Sequence, residues 1–341
     1  MNDVDMTAAC ACCGAALSPD GETVFDDRYG HPGSFRLSNC LSCGAIETVP
    51  RLAEEDLPAL YTNFYPRRDL EPSAVTEPVD SPNRWGYRLS RWWHGTDNQG
   101  QYGARPGMTV LDYGCGAGQS LLELRAIGAN AYGIEADANV ARIAAHHQLQ
   151  IHIGSIYENP FPGVKFDLII LNQVLEHIPE PAAVLELLAS RLKSGGRLVV
   201  AVPNAGSIYC TIFGRRWINW HIPYHLHHFN RSCLQALGQR TGWRLLSTRT
   251  ITPNLWTVLQ LRALMSTTQQ GVPHPMWSPN APVAATRPGL GARLAWRVVQ
   301  VVTRFGMPFM GVMNRLIDGL GMGDSLLIVF VRETALGGQG E

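Results

Sequence analysis

The feature that most constrains the fold of this 341-residue chain is a glycine turn after a short apolar segment. Residues 108–111 read Met-Thr-Val-Leu, Asp112 follows, and glycine then occupies alternate positions at Gly114, Gly116 and Gly118. A helix-like run begins two residues later. A strand, a glycine turn and a helix in this order let a ligand contact bare backbone amides at a helix N-terminus. The pattern predicts an α/β sheet that binds a ligand where this strand ends.

A second acidic residue narrows the identity of that ligand. Residues 132–134 read as the next strand, and Glu135 stands at its carboxyl end, where a carboxylate can accept both hydroxyls of a ribose. A dinucleotide fold would place its third glycine where this chain has Gln119. Amides beside the Asp112 carboxylate suit a ligand with an ammonium group and no pyrophosphate, a description that fits S-adenosylmethionine. An NAD-binding fold remains the alternative.

Three segments resemble the class I S-adenosylmethionine-dependent methyltransferases: residues 112–118, residues 166–179 and residues 192–203. The resemblance covers about residues 100–250 and the last strand. It implies a Rossmann-like seven-stranded α/β sheet, with the methionine part of the cofactor at the glycine turn and the adenine near residues 154–156. The predicted cofactor-binding residues are Tyr87, Asp112, Gly114, Cys115, Gly116, Gly118, Glu135, Ala136, Ser155, Ile156, Asn172 and Gln173.

Two copies of Cys-x-x-Cys-Gly-Ala near the N-terminus indicate a metal module. They supply Cys10 with Cys13 and Cys40 with Cys43, the Cys₄ pattern of a structural zinc ribbon. Cys12 is a competing ligand, but only Cys10 and Cys13 reproduce the spacing of the second pair. Free thiols or an iron–sulfur site are the alternatives. We therefore expect Zn²⁺ in a structural role.

Composition limits the partners and the compartment. The formal net charge is zero, with 45% hydrophobic and 16% charged residues, so no broad basic surface is expected and no nucleic acid partner. Residues 1–6 do not read as a signal peptide. The likeliest membrane-spanning candidate, residues 294–320, is interrupted by charges, so no transmembrane segment is expected, although peripheral membrane contact stays open. A cytoplasmic, reducing setting is predicted. The oligomeric state is left open.

Three regions follow along the chain. Residues 1–65 hold the ribbon and a tyrosine-rich segment, residues 66–98 a linker and a lid helix, and residues 99–341 the methyltransferase domain. Helix 84–93 either packs on the core or covers the cofactor, with Tyr87 reaching in. Further strands are predicted at 151–153, 166–171, 197–202, 243–251 and 325–331. A helix is predicted over 181–192, and Gly195 and Gly196 are expected to end it. The last two strands enclose a helical insert, residues 252–324, whose methionines and aromatic residues form core, an acceptor-pocket wall or a lipid-facing surface.

His177, directly after the fourth strand, is the first candidate base, because imidazole titrates near neutral pH. The alternatives are a helix cap or a hydrogen bond to Glu176.

A histidine-rich segment after the fifth strand holds the other candidates. Tyr224, His225, His227 and His228 lie there together with His221. A metal site is one interpretation, and a packed loop with one functional histidine is another. The segment resembles the Tyr-His-Glu-His stretch of deoxysugar C-methyltransferases that also carry a zinc ribbon. Leu226 replaces the Glu, which favours O-methylation over C-methylation.

The predicted function is methyl transfer to a small-molecule or sugar-linked acceptor, preferably at oxygen, in secondary-metabolite or glycan biosynthesis. The alternatives are a nucleotide-sugar C-methyltransferase, a non-catalytic adaptor that keeps the fold, and a ribbon-guided RNA or protein methyltransferase.

Overall fold

The structure, a computed structural model, describes residues 9–65, 71–79, 81–155, 157–278 and 307–332. Its strands, in chain order, are β1 Leu17–Phe25, β2 Ser34–Cys40, β3 Ile46–Val49, β4 Thr109–Tyr113, β5 Asn130–Glu135, β6 Gln150–Ile153, β7 Phe166–Asn172, β8 Leu192–Pro203, β9 His227–His228, β10 Trp243–Ile251 and β11 Ser325–Arg332. Its α-helices are α1 Leu57–Asn63, α2 Trp85–His94, α3 Gln119–Ile127, α4 Ala141–His147, α5 Pro181–Ala189, α6 Ile208–Phe213, α7 Arg231–Arg240, α8 Asn254–Leu264 and α9 Met307–Gly319.

The larger sheet has seven strands in the order β10-β11-β8-β7-β4-β5-β6. The five strands from β8 to β6 are parallel, and β11 is antiparallel to both β8 and β10. Apolar runs form the central strands because both faces are covered, and Val110, Leu111 and Ile170 have no exposed surface. The predicted Rossmann-like sheet is confirmed, and the carboxyl ends of β4, β5 and β7 meet at one edge.

One predicted boundary is wrong. Helix α5 ends at Ala189, and Leu192 already pairs with Phe166 at the start of β7. Gly195 and Gly196 therefore lie inside β8 and do not end the helix. A register shift in the pairing of β7 with β8 takes up these residues, and Gly195 has the left-handed φ of 74° that glycine tolerates.

The smaller sheet joins the ribbon to the histidine-rich segment. Strands β1, β2 and β3 form an antiparallel sheet, and β9 adds to the free edge of β3. Ile46 pairs with His228, and Glu47 pairs with His227. The ribbon thus contributes directly to the position of the candidate active-site loop.

The insert is described in two parts, residues 252–278 and 307–324. Trp296 and Phe305 lie outside the described residues. In α9, Met310 is buried, whereas Phe309 and Met313 are exposed, so the predicted apolar stripe divides between core and surface. Among the described helices, none combines the length and the apolar character that crossing a membrane requires.

Candidate cofactor and active site

The glycine turn leaves open space at its middle position. Gly114, Gly116 and Gly118 have φ values of 78°, 52° and 83°. A Cβ on Gly114 would lie 2.6 Å from Val174, and one on Gly118 would lie 2.7 Å from Leu149. A Cβ on Gly116 would meet no atom within 4 Å. Packing therefore explains Gly114 and Gly118, whereas Gly116 borders a space that a ligand can enter.

Asp112 lies buried beside this turn with spare acceptor capacity. The Ser120 hydroxyl donates to its Oδ2, while its Oδ1 is buried and has no hydrogen-bond partner. Burial raises the pKa of Asp112 to about 7. A buried acceptor without a donor is costly, and an ammonium group next to it would satisfy it.

Glu135, at the end of β5, is hydrogen-bonded both to the glycine turn and to the residues that follow β5. Its Oε2 accepts a 2.8 Å hydrogen bond from the N–H of Gly116. Its Oε1 accepts from the N–H groups of Ala136 and Asp137 at 2.8 and 3.0 Å. A ribose that bonds this carboxylate has to compete with the Gly116 amide.

Three predicted cofactor residues have mainly structural contacts. Cys115 is buried, and a Cβ on Gly133 would lie 2.6 Å from its sulfur. Asn172 accepts from the N–H of Gly100 at 2.7 Å and donates to Gln101 at 2.9 Å. Ser155 accepts from the N–H of Tyr157 at 3.2 Å. Ile156 lies outside the described residues.

Gln173 and Tyr87 differ in what they offer a ligand. Gln173 has a left-handed φ of 56° and a buried side-chain amide nitrogen without a partner. Tyr87 is partly exposed, and the Arg91 guanidinium lies 5.2 Å from its ring centroid. Helix α2 lines a cavity of about 520 Å³ with Val199 and Leu327. The role of Tyr87 at the cofactor remains a prediction.

His177 and Glu176 lie at the end of β7. The His177 Nδ1 donates to the carbonyl of Tyr224 at 2.8 Å and lies 3.2 Å from the Tyr61 hydroxyl. Burial lowers the pKa of His177 to about 4, so its imidazole is neutral at pH 7. The Glu176 carboxyl is buried, and neither oxygen has a hydrogen-bond partner. Burial raises the pKa of Glu176 to about 8.

The histidine-rich segment divides into two groups. His225 faces His177 at 4.7 Å and His221 at 4.8 Å between ring centroids, and its Nδ1 donates to the carbonyl of Asn219 at 2.8 Å. His227 instead donates through Nε2 to the carbonyl of Ile178 at 3.0 Å. The first group, His221 and His225, borders Glu176 and His177. The second group, His227 and His228, has its polar contacts elsewhere, although the His228 ring lies 6.4 Å from that of His225.

The ribbon holds the second group. The Nδ1 of His227 lies 3.7 Å from the Glu47 carboxylate, and the Nε2 of His228 lies 3.1 Å from the Thr48 hydroxyl. Burial lowers the pKa of both imidazoles, to about 4 for His227 and about 3 for His228. Both side chains therefore have structural partners at the boundary with the ribbon.

Tyr224 belongs to a group of aromatic rings beside this cluster. Its ring stacks on His221 at 4.9 Å and meets Tyr29, Tyr61 and Tyr65 at 5.3 to 5.4 Å. Its hydroxyl is buried without a partner. The tyrosine-rich segment indicated by the sequence supplies Tyr61 and Tyr65, but neither was predicted as a site residue, and Tyr29 and the unpaired Glu176 carboxyl were not singled out. An acid next to a histidine, shortly after an apolar strand, was the available signal for Glu176.

The four predicted ribbon cysteines converge, and their sulfurs lie within 4.8 Å of one another. Cys10 is 3.6 Å from Cys43, and Cys13 is 3.4 Å from Cys40. Four thiolates at about 2.3 Å from Zn²⁺ lie about 3.8 Å apart, close to these distances. Cys12 is buried outside this set. All eight cysteines lie within the described residues, and none forms a disulfide.

The chain is similar to known methyltransferases over this region. A family model described as a methyltransferase domain matches residues 84–248. The ubiquinone biosynthesis O-methyltransferase of Xanthomonas campestris pv. campestris (strain B100) is 29% identical over 136 residues, which cover 37% of this chain and 56% of that protein. The corresponding enzyme of Xylella fastidiosa is 36% identical over 108 residues, which cover 29% of this chain and 43% of that protein. The chain thus spans about half the length of the curated relatives it matches.

Among solved structures, the chain is similar to the cyclopropane synthase MmaA2 of Mycobacterium tuberculosis. It is 14% identical, has a TM-score of 0.44, and the match covers 83% of this chain and 99% of that one.

Proposed function

Because this chain belongs to the class I S-adenosylmethionine-dependent methyltransferases, we propose that it methylates an oxygen of a small-molecule or sugar-linked acceptor. Two observations at the end of β4 carry the proposal: the unpartnered Asp112 Oδ1, and the open space at Gly116 in the turn that follows. The residues present fit S-adenosylmethionine: Asp112 would hold its ammonium group, the turn amides its carboxylate and Glu135 its ribose. When bound, this cofactor supplies an electrophilic methyl group on a sulfonium.

The chain's own part is to position the acceptor and to accept its proton. The His177 Nδ1–H is fixed by the Tyr224 carbonyl, which leaves Nε2 as the proton acceptor. Tyr61 lies beside the candidate base, since its hydroxyl is 3.2 Å from the His177 Nδ1. Burial and the neighbouring Tyr65, Glu176 and Glu135 raise the pKa of Tyr61. We therefore place the acceptor between the glycine turn and His177.

C-methylation is the second candidate, and Glu176 is the observation in its favour. Leu226 replaces the acid of the resembling motif, yet the Leu226 N–H donates to the carbonyl of Glu176 at 2.8 Å, so a buried carboxyl lies on the neighbouring loop. Abstraction of a carbon-bound proton next to a ketone needs such a strong, oriented base. Exchange of the acceptor's α-proton for deuterium in the presence of S-adenosylhomocysteine distinguishes this candidate from O-methylation.

The ribbon is proposed to hold a structural Zn²⁺ through Cys10, Cys13, Cys40 and Cys43, with no position left for substrate. None of the eight cysteines forms a disulfide, which agrees with the proposed cytoplasmic setting. A non-catalytic adaptor would keep this ribbon but would not require a free acceptor atom at Asp112.

The test incubates the full chain with labelled S-adenosylmethionine and a panel of hydroxylated aromatic compounds and nucleotide sugars. We expect S-adenosylhomocysteine and one O-methylated product, and at least a tenfold lower rate in His177→Asn with S-adenosylhomocysteine affinity unchanged. Binding of the cofactor without turnover of any acceptor would favour the adaptor.

A further inference from the structure

Three side chains at the end of the candidate active site bring metal-ligand atoms together away from the ribbon. One carboxylate oxygen of Glu176 and one ring nitrogen each of His177 and His225 lie within 4.8 Å of one another. The first two follow β7, and the third comes from the histidine-rich segment, 48 residues after His177 in the chain. The fold therefore assembles this cluster from separate loops.

Both imidazoles are held in the form that a metal ligand needs. The Nδ1 of His177 donates to the Tyr224 carbonyl, and the Nδ1 of His225 donates to the Asn219 carbonyl, each at 2.8 Å. Because a carbonyl can only accept, Nδ1 carries the hydrogen and Nε2 keeps its lone pair. A backbone carbonyl on the far nitrogen is the usual outer-shell partner of a metal-binding histidine.

Glu176 is left without a partner that would justify its burial. It is 1% exposed, and both of its carboxylate oxygens lack hydrogen bonds. Within the described part of the chain, no arginine or lysine forms an ion pair with it. Buried carboxylates without donors are rare, and they are paired with charges or coordinate metals.

We propose that Glu176, His177 and His225 form a second metal site, which takes a divalent transition-metal ion. Two imidazoles and one carboxylate are a donor set for Zn²⁺, Fe²⁺ or Co²⁺, and three protein ligands leave positions open. Atoms bound to such an ion lie about 3 to 3.5 Å apart, so binding draws the three ligands closer together. His221 lies beside the cluster: its Nδ1 is 3.4 Å from the Nε2 of His225, a contact that metal binding would replace, and its own Nε2 has no partner.

The ion would bind the acceptor oxygen, and this part of the inference rests on the proposed function. A metal-bound hydroxyl loses its proton more readily than a free one. With an ion present, Glu176 and His177 are both ligands, and neither is available as a base. The proton of the metal-bound hydroxyl would then pass to the Nε2 of His221, which has no partner. Without a carboxylate base, O-methylation is favoured over C-methylation. His227 and His228 are not ligands, because Ile178 and Thr48 occupy their Nε2 atoms.

The test uses the zinc-loaded full chain, titrated with Co²⁺ in a calorimeter and followed by visible absorption. We expect one further ion per chain and a d–d spectrum without the thiolate charge-transfer bands of a cobalt-substituted ribbon. Thermal unfolding should shift upward with added Co²⁺. The same titration is made with Zn²⁺ and Fe²⁺.

Two variants and one control separate a loss of metal binding from a loss of folding. Glu176→Gln and His225→Asn should each weaken Co²⁺ binding at least tenfold. Glu176→Gln should not lower the Tm of the protein without added cobalt, because the lost carboxylate has no partner there. Glu180→Gln, at an exposed acid four residues later, should bind Co²⁺ like the wild type.

Saturation at the ribbon zinc alone with all three ions, or unchanged Co²⁺ binding in Glu176→Gln, would overturn the second site. If only the second metal site is wrong, the protein still binds S-adenosylhomocysteine. If the proposed function is wrong, the protein binds Co²⁺ but does not bind S-adenosylhomocysteine.

Discussion

The Thr48 hydroxyl of the ribbon donates a 2.8 Å hydrogen bond to the carbonyl of His225 in the candidate active site. The N–H of Thr48 donates to the Leu226 carbonyl at 3.0 Å, and the N–H of Leu226 donates in turn to Glu176. The ribbon is therefore connected by main-chain bonds to the loops that hold the histidines and the acid. It acts as a support for the site as well as a folding unit.

Thr48→Val tests this support. Valine keeps the volume but leaves the His225 carbonyl and His228 Nε2 without the hydroxyl, so we expect the free energy of unfolding to fall by about 1 to 3 kcal/mol. Methyl transfer should fall with it, because the main chain at His225 loses its bond to the ribbon. Thr23→Val, at an exposed threonine of β1, is the matched control. Equal unfolding midpoints for the two variants in urea would show that the Thr48 bonds have no such role.

Cys40→Ser should remove one zinc ion per chain, because serine is a poor ligand in a thiolate site. Since β3 pairs with β9, we also expect the methyl-transfer rate to fall. Cys12→Ser is the control, as Cys12 is buried outside the four-cysteine set. The zinc content of the two variants is measured by mass spectrometry. Loss of zinc from Cys12→Ser but not from Cys40→Ser would contradict the assignment and make Cys12 the ligand.

Gly116→Val should weaken S-adenosylhomocysteine binding at least tenfold, because the side chain enters the space reserved for the ligand. Gly107→Val is a control with the same kind of backbone strain, since Gly107 has a φ of 80° and a Cβ there also meets no atom within 4 Å. Gly107 lies before β4, at the opposite end of the strand. Similar losses of affinity in both variants would assign the effect to strain and not to the site.

The pH dependence of cofactor binding should report Asp112. Its pKa is raised by burial to about 7, so the carboxyl is increasingly protonated, and a poorer partner for an ammonium group, as the pH falls from 8 to 6. In the protein without ligand, burial favours the neutral Asp112 carboxyl. The contribution of Asp112 to the free energy of unfolding is therefore lost as the pH rises through 7. We therefore expect S-adenosylhomocysteine affinity to increase from pH 6 to pH 8.

Asp112→Asn supplies the reference for that titration. The ligand's own amino group titrates in both proteins, so the difference between them belongs to the carboxyl. Parallel affinity curves for the two proteins across this range would contradict the placement of the ammonium group at Asp112.

The parts of the fold that the sequence could predict depend on neighbours in the chain. The turn at residues 114–118 and the strands around it follow from local glycine spacing and apolar runs. The end of α5 did not follow, because the pairing of Leu192 with Phe166 overrides the helix-ending signal of Gly195.

The division of the histidines shows the same limit at the site. His225 and His227 are two residues apart, yet one faces Glu176 and the other faces Glu47 of the ribbon. That division depends on β3, about 180 residues earlier in the chain, pairing with β9. No local pattern encodes such a contact, and the unpaired carboxyl of Glu176 likewise emerges only when the surrounding loops are in place.

Calorimetric titration of the zinc-loaded protein with S-adenosylhomocysteine tests the central claim most directly. We predict one binding site per chain, with affinity reduced at least tenfold in Glu135→Gln and in Asp112→Asn. An absence of binding, or wild-type affinity in both variants, would contradict the assignment of the β4 and β5 ends as the cofactor site.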